Sequence, residues 1–254
     1  MLKDKRRQQI LDLIKRDGQV EISTLSKIFD VTEMTIRRDL DTFASDHDIV
    51  RTHGGAMLAD IQESIELPYE RRITSQEDEK KRIAMKALGL IKHGQTLFFD
   101  SGTTTYFMAQ KIGNERTNTI LTTGINLVPE LLNRQGISVI MIGGDIRRNT
   151  ISSSGPLAEE QLKRFCVDIA FLGANGVGED GNVYIGNSTE YGVKNTVMNI
   201  AKETYLLVDS SKFWCSQFLH YANLVDFDGV IVDSNLSQKI VNKLKKMGVN
   251  LLIS

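Results

Sequence analysis

Apolar residues recur at helical spacing in the first part of the chain. Between residues 10 and 14 they fall at i, i+3 and i+4, which predicts a first helix that ends near Asp17. A second group, at residues 25–29, predicts another short helix. Ser23 is its expected N-cap, because a serine hydroxyl can accept a hydrogen bond from a free backbone N–H. These stretches indicate a small helical domain at the beginning of the sequence.

A third helix is predicted directly after the tight connection at residues 30–31. Thr32 is its expected N-cap, and Ile36 and Leu40 lie four residues apart on one apolar stripe. The following segment IVRTHGGAM, residues 49–57, alternates apolar and polar positions and breaks at paired glycines. This pattern predicts a strand entering a small β wing. We therefore expect residues 1–58 to form a winged helix-turn-helix.

The pattern changes after residue 58. Residues 59–74 are polar, contain Pro68 and are typical of a connector. Ser75 and Asp78 have the spacing of a capping box, which predicts the first helix of a second domain over residues 75–254.

Short apolar runs then alternate with helical segments through the second domain. The runs are TLFFD, TILTT, SVIMIGG, DIAFLGA, TYLLVD and DGVIVD, and the expected helices span residues 103–112, 126–133, 156–165, 189–201 and 236–247. Continuous apolar runs are typical of parallel strands that are buried on both faces, with helices as crossovers. The expected fold class is therefore α/β, with an N-terminal winged helix-turn-helix and a C-terminal open, doubly wound α/β domain.

Composition narrows the class of protein. The chain has 254 residues, 41% of them hydrophobic, and a formal net charge of −1, which fits a globular protein of two domains. Its two cysteines and four histidines show no metal or redox spacing, so we expect neither a metal nor a cofactor. No apolar run approaches the roughly 18 residues that span a bilayer, and the first residues, MLKDKRRQQI, lack an apolar signal core. We expect a cytoplasmic protein with no membrane partner.

The third helix carries the chemistry of DNA recognition. Arg37 and Arg38 lie off its apolar stripe and can donate to guanine edges or to phosphate. The alternative is that they pair with Glu33, Asp39 or Asp41 on a solvated surface, since basic and acidic residues balance in this domain. The helix-turn-helix layout favours double-stranded DNA as the partner. The residues expected to bind it are Ser23, Thr32, Glu33, Met34, Thr35, Arg37, Arg38, Arg51 and His53.

The segment FFDSGTTT has the chemistry of an anion site. A buried strand is expected to end at Asp100, and Gly102 allows the backbone to approach a ligand closely. The hydroxyls and free N–H groups at the start of the next helix then point to one place, which suits phosphate. A capped turn without a ligand is the alternative for so short a loop. The loop follows a strand, at the edge where open α/β sheets bind ligands.

Polar clusters follow other strands of the same predicted sheet. Glu190 and Lys194 lie i, i+4 apart on one helix, where an exposed ion pair is the alternative to ligand binding. Several clusters at one sheet edge together suit a phosphorylated sugar, because N–H, hydroxyl and lysine groups bind phosphate and carboxylates accept from hydroxyls. The expected effector-binding residues are Asp100, Ser101, Gly102, Thr103, Thr104, Thr123, Gly144, Asn175, Glu190, Lys194, Asp209 and Lys212.

Two sets of motifs resemble one known family. EMTIRRDL followed by RTHGGA is similar to the DNA-binding end of the DeoR family of bacterial transcriptional regulators. FFDSGTTT, IGGDIR, DIAFLGANGV, TEYGVK and LVDSSKF resemble that family's sugar-phosphate-sensing domain, so the likeness covers nearly the whole chain.

The resemblance implies a fold and a function. It implies a sensing domain similar in fold to ribose-5-phosphate isomerase, a phosphate loop at residues 102–105 and a ligand contact at Lys212. It also implies a repressor of a carbohydrate or nucleoside catabolic operon that a phosphorylated sugar releases from its operator. A dimer or tetramer is expected, and the motifs lean towards the deoxyribonucleoside-operon branch of the family.

Two other functions are open at the sequence level. The first is an isomerase or hydrolase of sugar phosphates. Its general base would be Asp100, Asp209 or Glu190, and Lys212 would be its electrostatic stabiliser. The fused DNA-binding domain argues against this enzyme, because catalysis would destroy the signal. A nucleotide-binding architectural protein is weaker, because no dinucleotide glycine fingerprint follows a strand.

Overall fold

The computed structural model describes residues 3–17, 19–43, 49–51, 55–58, 67–215 and 217–254. They belong to two compact units, Met1–Ile65 and Glu66–Ser254. Within these described ranges, no helix is both long and apolar enough to cross a bilayer.

The first unit is a three-helix fold with a small antiparallel sheet. Its three strands pair in the order β1-β3-β2. The apolar stripes of the three helices meet in one core with Ile10, Leu25, Ile36 and Leu40 at its centre, each at most 1% exposed. The elements are α1 Lys3–Asp17, β1 Gln19–Glu21, α2 Ile22–Phe29, α3 Glu33–Phe43, β2 Ile49–Arg51 and β3 Gly55–Leu58.

The turn between α2 and α3 has the expected form. Asp30 takes a left-handed conformation (φ 50°, ψ 53°) and ends α2, while the Val31 N–H bonds back to the Ser26 carbonyl. Thr32 caps α3 as predicted, because its hydroxyl accepts the Thr35 N–H at 3.3 Å. The tight connection and the third helix are thus confirmed.

The expected cap at Ser23 is wrong. Helix α2 begins two residues earlier than a cap at Ser23 would place it, at Ile22, and Glu21 of strand β1 is the N-cap residue, with no side-chain cap bond. Ile22 is 2% exposed, so core packing rather than a serine hydroxyl fixes the start of α2. Strand β1 itself, which pairs with β3, was not predicted.

The second unit is built on a seven-stranded, fully parallel sheet. The strand order is β15-β14-β12-β9-β4-β5-β6. Successive residues of β4 point to opposite faces, so Phe98 enters one core and Leu97 and Phe99 enter the other. The strands of this sheet are β4 Thr96–Phe99, β5 Asn118–Thr122, β6 Ile137–Met141, β9 Val167–Gly173, β12 Ala201–Leu207, β14 Gly229–Val232 and β15 Leu251–Ile253.

Helices cover both faces of this sheet. Three of them, α5, α6 and α7, pack on one face, and α8, α9 and α10 pack on the other. The helices are α4 Tyr69–Thr74, α5 Glu77–Leu88, α6 Thr103–Lys111, α7 Leu127–Leu132, α8 Pro156–Leu162, α9 Thr189–Ile200 and α10 Gln238–Lys246. The doubly wound α/β domain and its six predicted strands are therefore confirmed, and β15 adds a seventh at one edge.

Two small sheets flank the large one and were not predicted. One is a hairpin of β7 Asp145–Arg147 and β8 Ser152–Ser154. The other joins β10 Gly176–Val177, β11 Asn182–Ile185 and β13 Leu219–Asn223. Their strands have two to five residues, which is too short for a clear alternation of apolar and polar positions.

The stretch expected to be a connector contains a helix of the second unit. Tyr69 in α4 is only 7% exposed, and its N–H donates to the Asn149 carbonyl at 2.9 Å. The capping box expected at Ser75 and Asp78 does not form, because Ser75 ends α4 and Gln76 precedes α5 in a left-handed conformation. The chain bends sharply between two short helices instead of starting a helix from an extended connector.

Asp39 in the first unit is a buried carboxylate held by two arginines. Arg6 and Arg7 of α1 donate to its two oxygens at 2.7 and 2.9 Å. Burial alone would raise the pKa of Asp39, but the hydrogen bonds and charges of the two arginines outweigh it and lower the pKa below 3.8. The pair fixes α3 against α1, so this carboxylate stabilises the unit while it is ionised.

We predict that Asp39→Asn destabilises the first unit by about 1–3 kcal/mol, because the buried Arg6 and the partly buried Arg7 lose a charged acceptor. Amide exchange of residues 33–43 in the full-length protein should accelerate, whereas Asp12→Asn on exposed α1 surface should change little. The folded-state pKa is depressed, so the wild-type advantage is present above pH 3.8 and is lost as pH falls through the lowered value. Equal exchange rates in the two variants at neutral pH would contradict this role.

Candidate functional site

Helix α3 presents polar and charged side chains at its start. Thr32 and Thr35 bond to each other through their hydroxyls at 3.0 Å. Glu33 is exposed, and Met34 is 59% exposed although it is apolar. A methionine this open at a helix N-terminus suits contact with a thymine methyl group in a major groove.

The two arginines of α3 stay on its surface. Arg37 reaches Glu33 at 3.6 Å, and both side chains are about half exposed. An exposed pair of this kind contributes roughly 0–1 kcal/mol, so a phosphate can displace it. Arg38 is exposed. The sequence alternative of acidic pairing thus holds for Arg37 with Glu33, whereas Asp39 turns inward to α1.

Other basic residues of the first unit lie in helix α1 and in strand β2. Arg6 and Arg7 of α1 bind Asp39, and Arg7 also donates to Thr42 at 2.7 Å. Arg51 ends strand β2. His53 lies outside the described residues.

In the second unit, the carboxyl ends of β4 and β9 meet at the point where the winding direction of the sheet reverses. The chain runs outward from β4 through β5 and β6, and then returns to β9 and runs to the other edge. Such a switch point opens a crevice between the loops that follow the two strands. Asp100 follows β4, and Gly173 ends β9.

Asp100 joins these two loops. One carboxylate oxygen accepts the Ser101 N–H at 2.9 Å, and the other accepts the Gly173 N–H at 2.9 Å. Lys194 of α9 donates to that second oxygen at 2.5 Å and to the Gly173 carbonyl at 3.0 Å. Tyr221 also donates to the Gly173 carbonyl, at 3.0 Å. Asp100 therefore positions both loops.

Lys194 is charged although it is buried. Burial lowers its pKa, but the Asp100 carboxylate outweighs burial and raises the pKa above its ordinary value. The alternative of an exposed ion pair between Glu190 and Lys194 does not form: Lys194 binds Asp100, and Glu190 binds Arg147 of the β7–β8 hairpin. Although Glu190 and Lys194 lie four residues apart on one helix, each pairs with a charged residue of another element.

The loop after Asp100 ends in a helix N-terminus. Gly102 is the N-cap residue of α6, and no side chain caps it, so the first N–H groups of the helix face the crevice. Thr105 closes the loop, because its hydroxyl contacts the carbonyls of Asp100 and Gly102 at 2.5 and 2.8 Å. Thr103 and Thr104 are largely buried beside it. A helix N-terminus without a side-chain cap suits an anion, and the anion loop stays a prediction.

A cavity lies beside this loop and gathers most of the expected effector-binding residues. Its lining includes ten of the twelve, and it adds residues outside that set. The expected ones are Asp100, Ser101, Gly102, Thr103, Thr104, Asn175, Glu190, Lys194, Asp209 and Lys212, and the added ones are Leu67, Arg72, Ser75, Lys80, Thr105, Thr150, Gly173, Ala174, Leu207 and Val208.

Two expected residues lie away from this lining. Thr123 is 2% exposed, and its carbonyl accepts the Ser153 N–H of strand β8 at 2.9 Å. Gly144 packs against the β8 end and α8, where an added Cβ would lie 2.5 Å from the Ser154 carbonyl. The β7–β8 hairpin covers both strand ends, and no short-range pattern revealed it.

Lys80 is the most informative residue that the sequence analysis missed. It is 5% exposed and lies on the buried face of α5, in step with Ile83, Ala84 and Ala87. A lysine at a core position of an amphipathic helix was the available signal. Its ammonium group donates to the carbonyls of Arg72 and Ser75.

The cavity carries a small positive charge. Its lining has four cationic side chains, Arg72, Lys80, Lys194 and Lys212, and three carboxylates, Asp100, Glu190 and Asp209. Lys194 is neutralised by Asp100, so the positive excess lies with the other three cations. Burial lowers the pKa of Lys80 to about 8, with Asp209 raising it and Lys212 and Arg72 lowering it. The arrangement favours an anion.

We predict that Lys194→Met lowers the free energy of unfolding by about 3–5 kcal/mol, because it leaves a buried carboxylate unpaired. Urea denaturation of the full-length protein measures this, with Lys245→Met on the exposed side of α10 as the control. The double variant Asp100→Asn, Lys194→Met should recover part of the loss. A single variant as stable as the control would show that Asp100 needs no buried cation.

The sequence matches known proteins along nearly its whole length. Residues 6–62 match the DeoR-like helix-turn-helix domain, and residues 75–234 match the DeoR C terminal sensor domain. The chain is 35% identical over 245 residues to YulB, an uncharacterised HTH-type transcriptional regulator of Bacillus subtilis (strain 168), covering 96% of this chain and 94% of that protein.

Two further relatives carry functional names. The glycerol-3-phosphate regulon repressor of Escherichia coli (strain K12) is 31% identical, with 92% of each chain covered. The lactose phosphotransferase system repressor of Lactococcus lactis subsp. lactis is 33% identical, with 93% of each chain covered. Among solved structures, ribose 5-phosphate isomerase A from Methanocaldococcus jannaschii overlaps 55% of each chain at 25% identity, with a TM-score of 0.41. The matched domains and the relatives show that the chain belongs to the DeoR family of DNA-binding transcriptional regulators.

Proposed function

We propose that the chain represses a carbohydrate or nucleoside catabolic operon in the cytoplasm and that a phosphorylated sugar releases it from its operator. The names of two relatives, a glycerol-3-phosphate regulon repressor and a lactose phosphotransferase system repressor, support the link to sugar metabolism. The lean towards the deoxyribonucleoside-operon branch stays a prediction.

One observation carries the effector assignment. The uncapped N-terminus of α6 and three cationic side chains, Arg72, Lys80 and Lys212, line one cavity at the switch point of the sheet. A phosphate dianion matches both features, because helix N–H groups and basic side chains bind phosphate oxygens. Glu190, Asp209 and the threonine hydroxyls are placed to accept from or donate to sugar hydroxyls.

The same geometry speaks against an isomerase. A general base needs an oxygen free to take a proton from the substrate. Asp100 instead accepts two backbone N–H groups and the Lys194 ammonium group. The family members named above are regulators, so the carboxylates of this cavity serve binding.

The DNA-binding assignment rests on α3. Its start presents Thr32, Glu33, Met34 and Thr35, and its surface carries Arg37 and Arg38. A helix of this kind enters the major groove with its N-terminal residues on base edges. We infer that the protein acts as a dimer or tetramer, because paired half-sites raise affinity through effective concentration.

We predict that Arg38→Ala weakens binding to operator DNA by about 1–3 kcal/mol and leaves sugar-phosphate affinity unchanged. A duplex selected from random DNA by the purified protein serves as the probe in mobility-shift titrations. Arg82→Ala, an exposed arginine on α5, is the matched control and should bind the duplex normally. Loss of sugar-phosphate binding with intact DNA binding would overturn the assignment of Arg38.

We predict that Lys212→Ala keeps the protein on that duplex at sugar-phosphate concentrations that release the wild type. Losing one charge-assisted contact should weaken effector binding roughly tenfold or more. The effector is first chosen by thermal shift against a panel that includes deoxyribose 5-phosphate and glycerol 3-phosphate, since a bound ligand raises the melting temperature. Lys239→Ala on α10 is the control. Normal release of Lys212→Ala would remove Lys212 from the effector site.

A further inference from the structure

We propose that residues 67–76, here called the strap, form a wall of the effector cavity that responds to ligand. The bound anion holds the strap against the rest of the second unit through Lys80 and Arg72. This inference rests on the proposed effector site and assigns two binding residues and a regulatory segment to it. The strap consists of α4 and the turn before α5, and it is the part of the second unit that continues into the chain leading to the helix-turn-helix.

The strap is held on the second unit by contacts that include those of Tyr69 and Ile73. Tyr69 packs edge-on against Tyr106 of α6, with ring centroids 6.1 Å apart, and its N–H bonds to the Asn149 carbonyl. A six-residue helix is unstable in isolation, because nucleation costs more than so few hydrogen bonds return. The position of the strap therefore depends on its contacts with the rest of the unit.

Lys80 is the polar tie between the strap and the cavity. Its ammonium group donates to the carbonyls of Arg72 and Ser75 at the C-terminal end of α4. An ammonium group has three N–H donors, so these two bonds leave a third for a ligand. The cavity lining includes Lys80, Arg72 and Ser75, so an anion in the cavity contacts the residues that form these two hydrogen bonds.

The charges around Lys80 explain why an anion would tighten the strap. Arg72 and Lys212 repel its ammonium group, while Asp209 and Glu77 attract it. A phosphate between the three cations would turn repulsion into attraction and would favour the conformation in which the strap is closed. Such a ligand shifts the strap by its differential affinity for the closed and open states.

The test uses the full-length protein with inorganic phosphate, the group common to all the expected effectors. Amide exchange is followed in two segments, the loop at residues 101–106 and the strap. The phosphate concentration is set near ten times the dissociation constant. Amide exchange that requires release of the anion should then slow about tenfold in both segments. Lys80→Met should weaken phosphate binding about tenfold or more and should abolish the slowing in the strap. Lys86→Met, exposed on the same helix, should behave as wild type.

A second variant tests the charge of Lys80 without removing its donors. Wild-type phosphate affinity should fall as pH rises above about 8, by at most about tenfold per pH unit, because the anion needs the protonated ammonium. Lys80→Arg keeps its charge, so its affinity should stay flat between about pH 8 and 9.5.

The outcomes separate this inference from the proposed function. Slower amide exchange in the loop without slower exchange in the strap would overturn the proposed role of the strap and leave the effector site intact. Slowing of the strap that persists in Lys80→Met with unchanged affinity would also overturn it. No slowing in either segment at any phosphate concentration would overturn both.

Discussion

The buried ion pair of Asp100 and Lys194 is the interaction on which the sensing unit depends. Strands β4 and β9 pair with each other, but the connections that follow them run towards opposite edges of the sheet, so the two loops separate beyond the last backbone bond, from the Asp100 N–H to the Phe171 carbonyl. The Asp100 carboxylate joins them by accepting N–H groups from both loops, and Lys194 makes that charge tolerable in a buried place. A cavity that recognises a small anion needs such rigidity, because its N–H groups must converge before the ligand arrives.

A buried carboxylate also holds two segments together in the first unit, with two cations in place of one. There two arginines surround one carboxylate, and the pair sets the position of α3 relative to α1. Asp39 lies next to Arg38 in sequence, but one side chain faces the core and the other faces solvent. A helix whose inner surface is fixed by ionic hydrogen bonds can present an outer surface of unpaired or weakly paired charge without losing its orientation.

Local and periodic features of the fold could be predicted from the sequence. The runs of apolar residues located six strands of the parallel sheet, and the position of FFDSGTTT after one of them indicated a loop that lines the cavity. Features that depend on contacts between distant segments could not be predicted. Ser23 and Ser75 had the local chemistry of caps, but core packing and a sharp bend moved the helix starts. Arg72 reaches the cavity because α4 packs on α6, and no spacing within the chain encodes that contact.

The left-handed backbone at Gln76 sets a minimum for the free energy that the docking of α4 must supply. Its φ of 51° puts a residue with a β-carbon in the left-handed region, which costs roughly 1–2 kcal/mol relative to right-handed backbone. Straightening this joint would recover that energy, so the bent form exists only if docking returns more. The contacts that dock α4, among them those of Tyr69 and Lys80, therefore together outweigh a penalty of about that size.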